Sequence, residues 1–548
     1  MTKNKKFKIG FILFLIISTG LIVYSNSIEN EFVWDDSAFV VENEFIRDMG
    51  NLPLYFTQKQ TLAKGSLAGQ NYRPLVPLSY AIDYLNWGLN PAGYHITNLC
   101  FHIANSILVF FLILLITRDR IISLFASLIF LTHPLQTEAV TWISGRTNVL
   151  FLFFSLISLI CYITYRKKER LLFLFFSALS FILALLSKEM AATLPLILIV
   201  YDRFYYRRLK VIPTLLGYLP FFAALETYLI VRANILGRFA QCAWWTGNMY
   251  TTLLTMLKSA VYYIQLLIWP AELCADHLEF PAAYSIKDPG VLASLMVLIA
   301  LASLIFLLFR KLKYMSFAIL WFFITLLPVM NIIPINILVA ERFLYLPLVG
   351  YAQFIAVLFG FFTIRARNNI IRRSVIIMTA VALIVSYSLL TMARNTAWAD
   401  VVTFNMDIIK KYPGNHRAHS NLADFYMHKY KNLDMAYEEI QVTLSLSPEH
   451  NEARISLAGY YVETGRPNKA IQELKYAIKM QPDLVAAYKY LGAIYTWQGN
   501  YNEAVRQYRK ALALDGTDRE TREALRELAK RVKGPEKSHR AWCRAHGA

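Results

Sequence analysis

The sequence predicts an all-α fold, a polytopic bundle of about eleven membrane helices followed by an α-solenoid of short helical repeats. Three observations predict it. The 548 residues are 56% apolar, with a mean hydropathy of +0.40, above the roughly 45–50% apolar usage of soluble domains. The excess lies in residues 9–392, where long apolar runs alternate with short basic clusters, and about 20 apolar residues span a bilayer. Beyond that stretch the chain repeats itself at a fixed interval.

The runs place spans at roughly 9–24, 98–117, 121–137, 148–165, 171–187, 191–206, 211–231, 291–309, 315–333, 346–363 and 374–392. The first run follows a basic head and has no small-x-small cleavage site behind it, so it reads as a retained anchor with a cytoplasmic N-terminus. Eleven spans put "KNKK", "RDR" (118–120), "RKKER" (166–170), "RRLK" (207–210), "RKLK" (310–313) and "RARNNIIRR" (365–373) all on the cytoplasmic side, as basic loops prefer. Residues 252–269 must then not cross. Lys258 within that segment and Pro270 after it suit a helix lying at the interface. The net charge of +19 sits largely in these span-end clusters, which accounts for it without a nucleic-acid partner.

The loop 25–97, the turns near 133–146 and 187–190, the segment 232–290, the loop near 334–345 and the tail from about 393 then share the external face. Of five cysteines, Cys100 and Cys161 lie in apolar segments and Cys543 in the tail. Cys242 and Cys274 flank one external segment, and both a disulfide and two thiols fit the sequence. Trp244, Trp245, Trp269 and Trp398 read as interface anchors.

In the tail, Leu457, Ala458, Tyr461, Ala470 and Ala477 recur 34 residues later as Leu491, Gly492, Tyr495, Ala504 and Ala511. This is the period and small-residue pattern of tetratricopeptide repeats. An earlier copy uses Leu422, Ala423, Tyr426, Ala436 and Thr443, with one extra residue between its helices, and residues 518–531 form a capping helix. The domains are therefore 1–395 (membrane), 396–532 (repeats) and 533–548, a basic tail. Such a stack is either a docking scaffold or a receptor for a protein substrate.

Chemistry-bearing residues concentrate on the external face. Asp35 and Asp36 follow the first span in "ENEFVWDDSAFVVEN". Arg73, in "NYRPL", offers a guanidinium fork suited to phosphate. The turn "THPLQTEAVTWISGRTN" gathers His133, Glu138 and Arg146. Lys188 and Glu189 stand at the outer end of the fifth span, and Glu341 and Arg342 precede the tenth. Cations at a bilayer surface fit a lipid phosphate, and a carboxylate beside them fits a general base. No cofactor is required. Asp35 and Asp36 with Glu138 or His133 are an oxygen-rich set that suits a divalent metal.

The stretches "FVWDDSAFVVEN", "YRPLVPLSYAIDYLNWGLNPAGYHITNLCFHIANSILV", "HPLQTEAVTWISGR", "LLSKEMAATLPLILIVYD" and "ERFLYLPLVG" occur in this order and the repeats follow. Together they resemble the transmembrane and tetratricopeptide-repeat-containing (TMTC) proteins, which are similar to protein O-mannosyltransferases. The resemblance implies the C-type glycosyltransferase fold and a sugar donor carried on a polyprenyl phosphate, usually mannose. It also implies serine or threonine acceptors on exported proteins and a catalytic acid in the first external loop. The expected mechanism is one inverting displacement. Asp35 is the base, Asp36 orients the acceptor or holds it, and Arg73, His133, Arg146, Lys188 and Arg342 face the donor phosphate. Glu138, Glu189 and Glu341 support them. The repeat array is shorter than in animal members and "CRAHGA" carries no endoplasmic-reticulum retention signal. A bacterial inner membrane is thus expected, with the loop and repeats in the periplasm; in a eukaryote the membrane would be the endoplasmic reticulum.

Other classes fit less well. A non-enzymatic scaffold for envelope assembly would leave the external cations without a task. A polysaccharide polymerase or ligase usually carries its large external loop late in the chain, whereas this one comes first. A lipid-linked sugar flippase needs charges lining its spans, and the spans here are nearly free of them.

Overall fold

A computed structural model describes residues 8–64, 67, 69–206, 211–238, 242–309, 312–516 and 518–532. Every regular element among them is helical, and the chain divides into two units, Met1–Phe404 and Asn405–Ala548.

The first unit contains α1 (Ile9–Tyr24), α2 (Leu52–Thr57), α3 (Leu75–Trp87), α4 (Pro91–Thr117), α5 (Arg120–Thr132), α6 (Thr137–Val140), α7 (Arg146–Lys168) and α8 (Leu171–Ser187). It continues with α9 (Leu194–Tyr205), α10 (Val211–Leu236), α11 (Met249–Ile268), α12 (Pro289–Phe309), α13 (Lys313–Leu326), α14 (Pro347–Arg365) and α15 (Ile370–Asn395). Local chemistry sets the turns. Asn90 caps α4 by accepting from Ala92 N (3.2 Å), with Pro91 at the first helical position. The hairpin to α5 turns on left-handed Arg118, and Asp119 Oδ1 then accepts Ile121 N (2.8 Å) and Ile122 N (3.0 Å). Left-handed Glu169 turns α7 into α8 in the same way.

Among the described residues eight helices are long and apolar enough to cross a membrane: Ile9–Ser27, Pro91–Thr117, Ile143–Lys168, Thr214–Leu236, Met249–Ile268, Pro289–Phe309, Pro347–Arg365 and Ile370–Trp398. The expected set differs in two ways. It left out Met249–Ile268, and it counted α5, α8, α9 and α13, which have 12–17 residues. Those four are only about 18–26 Å long, short of a hydrocarbon core of about 30 Å.

Contacts sort the segments to two ends of the bundle. At one end Tyr24 Oη donates to Leu131 O (3.5 Å), Asn26 Nδ2 to Met392 O (2.8 Å) and Tyr228 Oη to Tyr72 O (3.3 Å). At the other Lys167 Nζ donates to Leu115 O (3.1 Å), Arg166 pairs with Asp202 (3.2 Å) and Lys313 lies over Tyr205. Both ends of α11 are tied at the first of these. Trp245 Nε1, just before it, donates to Ile335 O (2.8 Å), and Leu267 O, near its close, faces His133 Nε2 (3.0 Å). Outer faces such as Leu292, Met296, Ile299 and Phe306 of α12 remain apolar and exposed, as lipid-facing surfaces do. The loop after α1 builds a small core of its own from Val40, Ile46, Tyr55, Val76 and Tyr80, closed by Tyr94, Ile143 and Leu150 of the bundle.

In the second unit the repeat helices are α17 (His416–His428), α18 (Leu433–Leu446), α19 (Asn451–Glu463), α20 (Pro467–Met480), α21 (Val485–Trp497) and α22 (Tyr501–Leu514), after α16 (Val401–Lys411), which spans the boundary between the units. A last helix, α23 (Arg519–Val532), follows them. Left-handed residues Lys431, Gly465 and Gly499, spaced 34 apart, turn each hairpin. In the first hairpin two residues separate the helix end from that turn, against one in the others, which locates the extra residue. Ala458, Ala470, Ala487 and Ala504 are fully buried in the shared core, where small side chains let helices approach closely.

Candidate active site

The first loop leaves α1 and reaches Trp34 in the left-handed region, φ 55°, a conformation that costs a bulky residue strain. Stacking holds it there: the Trp34 ring lies on Trp142 (centroids 5.0 Å apart) and faces Phe404 and Trp398. The next two residues go different ways. Asp36 is fully buried; its Oδ1 accepts Ser144 N (2.8 Å) and Ser144 Oγ (2.5 Å), and its Oδ2 accepts Val33 N (3.0 Å). Burial pushes its carboxyl up to about 7 against the pull of those hydrogen bonds. Asp35 is half-buried and accepts no side-chain hydrogen bond among the described residues. Burial raises it to about 6, and the charge of Arg342 works in the opposite direction.

Arg342 and Glu138 are buried together. Glu138 Oε2 accepts Arg342 N (2.6 Å) and its Oε1 accepts the guanidinium. That guanidinium also lies over the rings of Trp34 (5.4 Å) and Trp142 (5.3 Å), a placement that favours a cation. Glu138 is raised by burial, opposed first by Arg342.

Arg73, just before α3, makes two hydrogen bonds to Glu189, at 3.0 and 2.6 Å. Glu189 falls to about 2: Arg73 outweighs the burial that would raise it. Lys188 is also buried, yet it has no ion-pair partner among the described residues. Its Nζ donates to Asn148 Oδ1 (2.5 Å) between the rings of Phe151 and Phe343. Burial holds it well below the usual lysine range, reinforced by Arg73 and Arg342 and offset by Glu189 and Glu138. Asp35, Glu138, Lys188, Glu189, Arg73 and Arg342 thus form one electrostatically linked group.

Three expected participants make their hydrogen bonds elsewhere. Arg146 is closed in by Asp83 (2.7 Å), Ser79 (3.3 Å), Tyr94 O (3.0 Å) and Asn98. His133 caps its own turn by accepting Leu135 N (3.3 Å), donates to Leu267 O (3.0 Å) and packs on Tyr387. Burial lowers it to about 4, so it is neutral. Glu341 turns the other way, its Oε1 accepting Cys274 N and lying 3.7 Å from His277 Nε2. In the same way the oxygens of Asp36 are taken up by chain donors rather than turned to a substrate.

Other expectations change too. No group of three or more His, Cys, Asp or Glu among the described residues is arranged to hold a metal; the Asp36 oxygens are taken by Ser144 and Val33, and the His133 ring by Leu135 N and Leu267 O. No disulfide joins Cys242 and Cys274. Trp398 is no interface anchor: it is 1% exposed, in the aromatic stack with Trp34, whereas Trp269 is 72% exposed. Sequence reasoning missed Ser144, Asn148, Asp83 and Trp142. A signal existed for part of this, since polar residues recur at 95, 98, 102 and 105 within apolar α4.

Comparison with known proteins agrees with the motif resemblance. The tetratricopeptide repeat profile matches residues 485–518. Protein O-mannosyl-transferase TMTC3 of Mus musculus is 24% identical over 496 residues, covering 83% of this chain and 53% of the relative. Protein O-mannosyl-transferase TMTC2 of Homo sapiens is 29% identical over 243 residues, covering 42% and 28%. The chain spans about half the length of the TMTC3 relatives it matches. Among solved structures, ArnT from Cupriavidus metallidurans bound to undecaprenyl phosphate aligns with a TM-score of 0.41 at 12% identity, covering 86% of this chain and 80% of that one.

Proposed function

We propose that this chain is a multi-pass membrane glycosyltransferase of the C-type fold. It moves mannose or a similar hexose from a polyprenyl-phosphate-linked donor to serine or threonine hydroxyls of exported proteins. The loop end of the bundle faces the periplasm of a bacterial inner membrane, and the repeats hold the acceptor protein. The observation that carries the reading is Asp35: its carboxylate is free of chain donors, lies in the field of Arg342 and belongs to a group containing Lys188, which has no carboxylate of its own.

In this reading the acceptor oxygen attacks the anomeric carbon from the side opposite the phosphate. The carbon–oxygen bond to the phosphate breaks, and its electrons leave with the polyprenyl phosphate. The acceptor proton passes to Asp35, general-base help worth roughly 10²–10⁴-fold. Lys188 and Arg342 stabilise the charge that grows on the departing phosphate, with Arg73 beside them. Arg73 and Arg342 keep Glu189 and Glu138 as counter-ions, whereas the Lys188 amine, whose charge burial disfavours, gains its proton as the phosphate charge grows beside it. Asp36 serves the loop rather than the substrate.

The test compares intact masses of exported proteins from cells carrying the wild type, Asp35→Asn or a deletion. Hexose absent from the deletion and the Asp35→Asn strains supports the reading. Masses unchanged by deletion, or full transfer by Asp35→Asn, overturn it and leave a non-enzymatic scaffold.

A further inference from the structure

Helix α4 carries His95, Asn98, His102 and Asn105, all buried, on one stripe through an otherwise apolar segment. Polar side chains inside a membrane helix are costly unless they are satisfied. Here each is spent on a site-bearing segment. His95 Nε2 lies 3.1 Å from Asn30 O in the first loop. Asn98 Nδ2 donates to Val140 O (3.2 Å), Trp142 O (3.0 Å) and Ile143 O (3.3 Å) in the turn that carries Glu138. His102 and Asn105 both meet the hydroxyl of Tyr345, three residues beyond Arg342.

The hydrogens of this last contact have one consistent arrangement. His102 Nε2 faces the carbonyl of Leu131 (3.1 Å) and must carry the proton. Its Nδ1 is then an acceptor, so Tyr345 Oη donates to it (2.8 Å). The Tyr345 oxygen in turn accepts Asn105 Nδ2 (3.2 Å), whose other hydrogen goes to Val149 O (2.9 Å). Arg342 and Tyr345 belong to one short turn, with Tyr345 N bonded to Arg342 O (3.4 Å), so fixing the hydroxyl fixes the turn.

We propose that Tyr345, His102 and Asn105 are positioning residues that set the Arg342 guanidinium against Asp35. The clamp works from within the bundle and touches no substrate. Its bearing on donor binding rests on the reading of Arg342 given above.

The test uses the full chain in lipid nanodiscs, with undecaprenyl phosphate as the binding probe and phenylglyoxal modification of Arg342, read by peptide mass, as a measure of position. Wild type, Tyr345→Phe, Arg342→Gln and the double variant are compared, with His102→Gln as a second break in the clamp. Tyr345→Phe and His102→Gln should each speed modification of Arg342 and weaken probe binding about fivefold, the size of one or two lost hydrogen bonds, measured below the melting transition of each variant. In the Arg342→Gln background Tyr345→Phe should weaken binding no further, because a positioning residue acts only through the group it positions. Unchanged modification and binding in both clamp variants, or an additive loss in the double variant, overturn the clamp. If the clamp variants expose Arg342 while Arg342→Gln binds the probe as the wild type does, the clamp stands and the role of Arg342 in donor binding falls.

Discussion

Glu138 holds Arg342 twice, through its backbone amide at 2.6 Å and through its guanidinium, across 204 residues of sequence. Removing one partner of a buried pair strands the other, at a cost of about 3–5 kcal/mol. Glu138→Ala should therefore lower the melting temperature in detergent strongly. Glu138→Gln, which keeps an acceptor, should lower it less, and Glu138→Ala with Arg342→Met should recover part of the loss. A double variant no more stable than Glu138→Ala would count against this account of the pair.

The pH dependence of transfer should report Asp35. A base must be ionised, and this carboxyl sits at about 6. Initial rates should be sustained above neutrality and fall with a one-proton slope as the pH drops through about 6. Arg342 lowers that value, so Arg342→Gln should move the acid limb to higher pH, apart from its effect on rate. A limb unmoved by Arg342→Gln would show that the titrating group lies elsewhere.

Asp36 should behave as a structural carboxylate. Asp36→Ala leaves the Ser144 and Val33 donors unmet and should cost about 2–4 kcal/mol. Asp36→Asn keeps an acceptor and should cost less. The native carboxyl is raised from 3.8 to about 7, so its contribution to stability is full below 3.8 and declines as the pH rises through about 7. The wild type should thus lose ground to Asp36→Asn over that window. Melting curves of both proteins from pH 4 to pH 8 check the sign.

Gly350 of α14 touches α13 so closely that an added Cβ would lie 2.6 Å from Ala318 O and 2.8 Å from the Trp321 ring. The first of these contacts is backbone and cannot swing away. Gly350→Ala should destabilise by about 1–3 kcal/mol, seen as a lower melting temperature, whereas Gly10→Ala, which meets nothing, should not.

Helix α11 is long enough to cross, yet segments at both its ends bond to the loop end of the bundle. Single cysteines at Asn248 and Glu272 in a cysteine-free background should react with a membrane-impermeant maleimide from the same side. Labelling from opposite sides would make α11 a span and invert the helices after it.

The repeats were legible because a helical-hairpin period survives changes in residue identity, as left-handed Lys431 replacing glycine shows. The clustering of Arg73, Lys188 and Arg342 was legible because chain direction alternates between basic turns. Their counter-ions were harder to see. Glu189 neighbours Lys188 in sequence but bonds Arg73, and Asp83 takes Arg146, 63 residues away. The division between Asp35 and Asp36 depends on which carboxylate meets Ser144, and adjacency in sequence carries no such information. Four segments were counted as spans although their helices are short, since an apolar run does not record where its helix ends.

The bonds between Asp36 and Ser144 also bear on movement. Swinging the first loop away would leave a carboxylate and a backbone amide without partners in an apolar seam, a barrier of several kcal/mol. The closed position of the loop is therefore favoured. Traffic into the space beside Asp35 is easier sideways from the lipid or through motion of other segments, and a search for the gate should begin outside residues 33–41.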